Sequence, residues 1–235
     1  MSDPTTLVGE TALQTVAQIA RKLAAAPSLD ETLQLIVDLG GDYIDACEGA
    51  SISFIRGRAL STPVWSNRTA FAADQAQYRH KQGPCLQAIS VHETIIIDDL
   101  AEEQRWPKWR EAVIELNLRS SISFRLFLVS NGDETFGSLN MFSSRAHAFD
   151  AQARALGQVF ASHAAVALKA AITEAGLEQA VRSRDIIGLA KGILMERHHV
   201  GADEAFQMLR RSSNDRHITI RTLAEQVTEA GALPD

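Results

Sequence analysis

The sequence predicts an α+β chain in which helices precede an antiparallel sheet, and a long helix then leads into a small all-α unit. Three observations carry this. In runs between Ser51 and Ser143, such as Ser51–Ile55 and Ser121–Val129, apolar residues recur at every second position, the period of a strand. Before Pro27 and after Asp150 they recur at three and four, the period of a helix. Asn131-Gly132, a pair suited to a tight turn, joins two of the alternating runs as a hairpin. A chain of 235 residues with 46% apolar and 22% charged residues can build a packed core and is long enough for two small domains.

Leu13, Val16, Ala20 and Leu23 share one side of a first helix. Ser28 and Glu31 form a capping box after Pro27, opening a second helix whose inward residues are Leu33, Ile36, Val37 and Ile44. In Ser51–Ile55, Ile52 and Phe54 alternate with serines, as in a half-buried strand. Arg56-Gly57-Arg58 turns the chain into Ala59–Ser66, where Pro63 marks an edge strand or bulge. An irregular stretch follows. Thr94–Ile97 is then a compact apolar run, and Ser121–Val129 places Ile122, Phe124, Leu126 and Leu128 on one side before Thr135–Ser143 returns. Five or six antiparallel strands result, flanked by helices. That order excludes a doubly wound nucleotide fold.

From Asp150 the helical period persists to about His198, with Gly157, Gly176 and Gly188 as soft points. Leu156, Val159, Phe160, Val166, Ala167, Ala170 and Ala171 form its first apolar face. A helix of this length exceeds what one small domain can hold, which points to pairing with a second copy; a break near Gly176 is the alternative. Farther on, Ile186, Ile187, Leu189, Ala190, Ile193 and Leu194 cover most of the circumference, leaving a stripe of Gly188, Lys191, Gly192 and Met195. Each of those glycines costs about 1 kcal/mol relative to alanine in a helix, so close approach of another helix or a ligand is expected to offset them. Met195 is expected in the core. Gly201 is placed to cap this helix in a left-handed conformation, and Asp203 opens a second helix with Ala205, Phe206 and Leu209 facing inward. Arg210 and Arg211 leave its far end. Thr219 caps a third helix with Ile220, Leu223 and Val227 inward.

The net charge is −6, but residues 182–221 hold eight Lys/Arg against five Asp/Glu. A basic window on an acidic body suits nucleic-acid contact, though an ordinary solvated face gives the same excess. Cys47 and Cys85 lack metal-ligand spacing, and with no secretory signal at the N-terminus a reduced cytoplasmic protein is expected. No uninterrupted run of about 18 apolar residues occurs, which argues against a membrane span. His80, His92, His147 and His163 match no ligand pattern, and no catalytic motif is present, so neither a metal, a cofactor nor an enzyme activity is expected. Asp98 and Asp99 follow a strand as in a receiver domain, but the hairpin after them makes them loop-entry carboxylates instead.

Ala190–Arg197 (AKGILMER), Ala202–Phe206 (ADEAF) and Leu209–Ser213 (LRRSS) resemble the ANTAR module, a small RNA-binding output domain of bacterial transcription antiterminators. Gly83–Leu100, WPKW and the Ser121–Ser143 hairpin resemble the later part of GAF domains, small-molecule sensors of bacterial signalling proteins. The implied organisation is an N-terminal helix over 1–27, a GAF-like sensor over 28–168 and an ANTAR-like unit over 169–235 with its core at 174–230. The resemblance implies a homodimer that binds RNA stem-loops, in tandem and with six-nucleotide loops, to keep an overlapping terminator from folding. The residues expected to meet RNA are Arg184, Lys191, Arg210, Arg211 and Arg221, with Gly192 permitting close approach; Arg184 and Lys191, seven apart, share a helix face. Trp65, Phe71, Tyr78, Cys85 and Trp106 are candidates for a sensor pocket, although the aromatics serve equally as core and Cys85 as a quiet packed thiol. A second reading stays open: a small-molecule or redox sensor whose tail dimerises or binds a protein partner without RNA.

Overall fold

The computed structural model describes residues 4–57, 59–91, 93–129 and 133–233. It divides into two compact units, Met1–Ile172 and Thr173–Asp235. The first holds helices α1 (Pro4–Ala24) and α2 (Leu29–Tyr43), strands β1 (Gly49–Arg56) and β2 (Ala59–Trp65), and helices α3 (Arg68–His80) and α4 (Pro84–Val91). Strand β3 (Ile95–Ile97), helix α5 (Pro107–Ile114) and strands β4 (Ser120–Val129) and β5 (Asp133–Ser143) follow. Helix α6 (Ala151–His198) crosses the boundary between the units, and α7 (Ala202–Asp215) and α8 (Ile220–Ala230) complete the second.

The five strands form one antiparallel sheet in the order β2-β1-β5-β4-β3. Pro63 lies in β2 at the sheet's edge, where its missing N–H breaks no ladder, and the β1–β2 register shifts between Ile52 and Phe54. The Arg58 and Asn131-Gly132 turn positions lie outside the described residues, but β4 and β5 pair from Val129↔Asp133 onward, as a hairpin requires. One sheet face is apolar. Ile52, Phe54, Ile122, Phe124, Leu126, Leu139 and Met141 pack there against Ile19 and Leu23 of α1, Leu33, Ile36 and Val37 of α2, and Phe160, Ala161, Ala164, Ala165 and Leu168 of α6. The side chain of Leu13 lies outside the described residues, whereas Val16 and Ala20 are only half-buried; Ile19 carries the seal with Leu23. Ser28 opens α2 as expected, its Oγ accepting from the Glu31 N–H at 3.2 Å.

The opposite face departs from the half-buried expectation. Ser51, Ser53, Ser121, Ser123, Ser138 and Asn140 are all fully buried there, beneath α3 and α4, with α5 packed against α3. Helix α3, within the stretch expected to be irregular, turns Ala70, Ala73, Asp74, Ala76 and Gln77 inward. Small side chains on both layers let them approach closely, while Trp109, Val113, Leu100 and Ile97 fill the flank.

Helix α6 runs for 48 residues without a break, through Gly157, Gly176 and Gly188. At Gly157 the missing side chain admits the Phe124 ring, whose Cζ lies 2.3 Å from where a Cβ would stand. The helix also has the length and apolar composition of a membrane span, with mean hydropathy 1.3 in an 18-residue window. Its Phe160, Ala161, Ala164, Ala165 and Leu168 are buried in the sheet core.

Candidate nucleic-acid interface

In the second unit a core of Ala190, Leu194, Ala205, Leu209, Leu223, Ala224 and Val227 holds α6, α7 and α8 together. The α6–α7 turn is closed by His199, the left-handed residue at φ 54°, with Val200 N–H donating to Met195 O at 3.3 Å. Gly201 instead adopts extended φ −74° and stands at the N-cap of α7, so the left-handed cap falls two residues earlier than expected. Asp203 lies in the first turn of α7, complementing its N-terminal dipole. Thr219 Oγ1 accepts from the Thr222 N–H at 3.1 Å and caps α8. Buried Ser213 donates to Ile218 O at 2.6 Å and locks the turn between α7 and α8.

The basic residues separate into two groups. Arg184, Arg210 and Arg211 are exposed and have no carboxylate partner among the described residues. Arg210 and Arg211 lie within α7 rather than beyond its end. Lys191 is half-buried, with its ammonium 5.9 Å from the centroid of the Phe206 ring and no ion pair. Arg221, by contrast, donates to Glu225 Oε1 at 2.9 Å, and Arg182 donates to Glu178 Oε2 at 3.2 Å. Arg197 donates to the Gly231 carbonyl at 2.8 Å, satisfying the end of α8. Among the described residues, Arg184, Lys191, Arg210 and Arg211 thus have no carboxylate partner.

Two expectations about the core of this unit are also corrected. Phe206 belongs neither to the apolar core nor to the side chains packed against it. Met195, expected inside, is 36% exposed. Gly192 also diverges from Lys191: adjacent residues project about 100° apart on a helix. Gly192 opens onto a depression of about 780 Å³ with Leu189, Ile193, Glu196, Arg197, His199 and Gly231. A Cβ at Gly176, Gly188 or Gly192 would meet nothing within 4 Å, so no described neighbour requires these glycines. Leu177, Val181 and Leu189 are more than half exposed along the same stretch of α6.

The sensor-pocket candidates fall in three places. Trp65 and Phe71 stack on each other at 4.4 Å, with Trp65 at the exposed edge strand. Trp106 meets Trp109 edge-on at 6.1 Å inside the second core and carries the Arg105 guanidinium over its ring at 4.4 Å. Tyr78 and Cys85 border a polar cluster on the serine face, centred on Asp74, a residue the sequence did not single out. Thr62 Oγ1 and Ser53 Oγ donate to Asp74 Oδ2 at 2.9 and 3.4 Å, and Gln77 Nε2 and Asn140 Nδ2 to Oδ1 at 3.2 and 3.0 Å. Tyr78 OH donates to Ser53 Oγ at 2.8 Å, and the Cys85 N–H to Gln77 Oε1 at 2.9 Å. Burial pushes the Asp74 carboxyl up to about 6, and these neutral donors limit the rise. Burial likewise raises the Cys85 thiol well above its ordinary range, with the Asp74 charge adding to it, and pushes Cys47 up to about 12. Both thiols are thus held protonated and weakly nucleophilic. Elsewhere, Asp98 pairs with Arg154, and a two-pronged contact from Arg119 (3.0 and 2.7 Å) holds Asp99 below the usual carboxylate range.

Comparison with known families matches residues 26–169 to the GAF domain and residues 175–227 to the ANTAR domain. The chain is a GAF–ANTAR protein. These domains place it in signal transduction and transcription regulation. No curated protein matches it. Among solved structures, the GAF-containing unit resembles free methionine-R-sulfoxide reductase from Neisseria meningitidis (16% identity, TM-score 0.55, 74% of this chain and 95% of that one). It also resembles the GAF domains of phosphoenolpyruvate-protein phosphotransferases from Acinetobacter (13%, TM-score 0.53, 75% and 99%) and Coxiella burnetii (18%, TM-score 0.53, 70% and 96%). At such identity the likeness is one of fold, and the reductase's activity does not transfer with it.

The Asp74 cluster gives the GAF–ANTAR protein a pH-dependent stability. The folded carboxyl titrates near 6, above its ordinary 3.8, so the folded state binds this proton more tightly than the unfolded chain. The resulting stabilisation is complete below pH 3.8 and is lost as pH rises through about 6. Asp74→Asn removes the titration and the buried charge. Its stability relative to the natural chain is expected to improve by on the order of 2–3 kcal/mol between about pH 4 and 7, measured by urea melts at each pH. A difference that stays flat with pH contradicts a carboxyl titrating near 6.

Proposed function

We propose that this GAF–ANTAR protein is a cytoplasmic, homodimeric transcription antitermination regulator that binds stem-loops in nascent transcripts under control of its sensor, and that it is not an enzyme. The observation that carries the RNA reading is the set of cations, Arg184, Lys191, Arg210 and Arg211, left without carboxylate partners on a unit matching the ANTAR domain. Lys and Arg side chains supply phosphate contacts, while single-stranded loops offer unstacked bases for specific reading. Arg221 contributes less, because Glu225 already neutralises it. Gly192 serves best as a site of close helix approach, since it opens away from Lys191 beside exposed Leu189.

Exposed Leu177, Val181 and Leu189, together with the unobstructed Gly188 and Gly192, support pairing of α6 with a second copy. Two copies present two RNA-binding tails, matching two hairpins in tandem. The unbroken α6 gives the signal a route, because it is shared by both units. A ligand at the sensor acts only if it favours one arrangement of the helix pair in free energy. The buried polar layer around Asp74, bordered by Tyr78 and Cys85, is our candidate for the sensing layer, because its Ser121 and Ser123 hydroxyls have no partner among the described residues. Mobility shifts of the full chain test the two-tail arrangement. Tandem hairpins with six-nucleotide loops are expected to bind at least 10-fold tighter than a single hairpin of the same sequence. Equal affinity, with one chain per RNA, contradicts it.

A further inference from the structure

Phe206 is the sole Phe, Tyr or Trp between Thr173 and Asp235. The three-helix core is built of alanine, leucine and valine, with isoleucine, methionine and further aliphatic side chains around it, and Phe206 takes no part in it. A small unit that buries little apolar surface would gain most from burying its largest apolar ring. Here the ring is instead kept half-exposed on α7, and its described ring contact is the Lys191 ammonium at 5.9 Å. Arg210 is one turn farther along α7 on the same helix face and carries no ion pair among the described residues, so a second cation shares the ring's face. An aromatic face flanked by free cations is the arrangement that takes an unstacked base together with its adjoining phosphates.

We infer that Phe206 is the stacking platform for one unpaired base of the bound RNA loop, held in orientation by Lys191, and that the Lys191 ammonium and the Arg210 guanidinium meet the phosphates adjoining that base. This rests on the RNA-binding reading above. Lys191 thereby has two roles: it fixes the ring through the cation–π contact and it neutralises the backbone beside the stacked base. Every base has a π face, so stacking at Phe206 supplies affinity at one loop position with modest preference for base identity.

The test uses the full chain and a pool of RNA hairpins with randomised six-nucleotide loops, from which the tightest binder is taken. That hairpin is then made with 2-aminopurine, and separately with an abasic site, at each loop position. The expected result is one position at which 2-aminopurine is quenched on binding. The abasic site there weakens the natural chain roughly 10- to 100-fold. Phe206→Leu, which keeps an apolar side chain, loses binding to a similar extent and becomes insensitive to the abasic site. Phe206→Trp retains both affinity and quenching. If the natural chain binds but no loop position couples to residue 206, the stacking inference fails while the RNA reading stands. If the natural chain binds no hairpin in the pool, both fail. Should Phe206→Leu not fold by circular dichroism, the Trp variant and the abasic scan of the natural chain still decide.

Discussion

Lys191→Glu is expected to weaken hairpin binding about 100-fold at physiological salt, while the thermal melt of the protein changes little. The change removes a phosphate contact and puts a negative charge in its place, so attraction becomes repulsion where the RNA backbone passes. Lys191 has no carboxylate partner to strand, because its interaction is with the Phe206 ring. Lys191→Ala isolates the first part of the effect: affinity falls roughly uniformly across hairpins and the salt slope drops by about 1. Arg211→Ala is expected to behave in the same way. Arg221→Ala is the discriminating control, since that guanidinium is already paired with Glu225 at 2.9 Å, and its effect should stay within about threefold. Filter binding over a salt series measures all four. Unchanged affinity and slope in both Lys191→Ala and Arg211→Ala would falsify the assignment of the interface.

The largest expected loss of stability comes from Gly137→Ala. Gly137 lies in β5 at the middle of the sheet, opposite Phe54 of β1 and Leu126 of β4. Its φ of +151° is open to glycine and strained for any other residue. A Cβ there would stand 1.8 Å from the Ser53 carbonyl oxygen, a backbone atom that cannot rotate away. Accommodating even a methyl group requires β1 and β5 to separate, and that displaces the Phe54 and Leu126 packing on the apolar face and the Ser53–Asp74 contact on the other. A cost of about 4 kcal/mol or more is expected, enough to unfold a domain of ordinary stability. Urea denaturation of the purified variant measures it. A loss under about 1 kcal/mol would show that the strand pairing at Gly137 is wrong.

The elements most legible in the sequence were those with large apolar side chains in a strict period. The β4–β5 hairpin and the unbroken α6 are of this kind, as is α8 with Thr219 at its cap. Helix α3 was not legible, because its inward face is Ala70, Ala73, Asp74 and Gln77, which carry almost no hydrophobic period. The serines of β1 read as the open side of a half-buried strand, and those of β4 carry no hydrophobic period either. They are buried because a second helical layer covers them, and alternation alone does not report what lies above the polar face. The interface shows the complementary limit. Lys191, Arg210 and Arg211 stand out by type, but whether a cation is already neutralised depends on neighbours such as Glu225 and Glu178. Phe206 read as core because it falls at a core spacing of α7. The signal that could have placed it outside is its position as a lone aromatic within an otherwise aliphatic unit bearing unpaired basic residues.

Competition binding of the full chain tests the proposed function most directly, with three probes of equal length at one salt concentration: a hairpin bearing a six-nucleotide loop, the same stem as continuous duplex RNA, and duplex DNA. The hairpin is expected to win by at least about 10-fold over both duplexes, because phosphate contacts alone do not distinguish loops whereas base contacts do. Equal affinity for all three, or no affinity for any, would mean that the free cations of the ANTAR domain do not read looped RNA and that its exposed surfaces serve protein contacts alone.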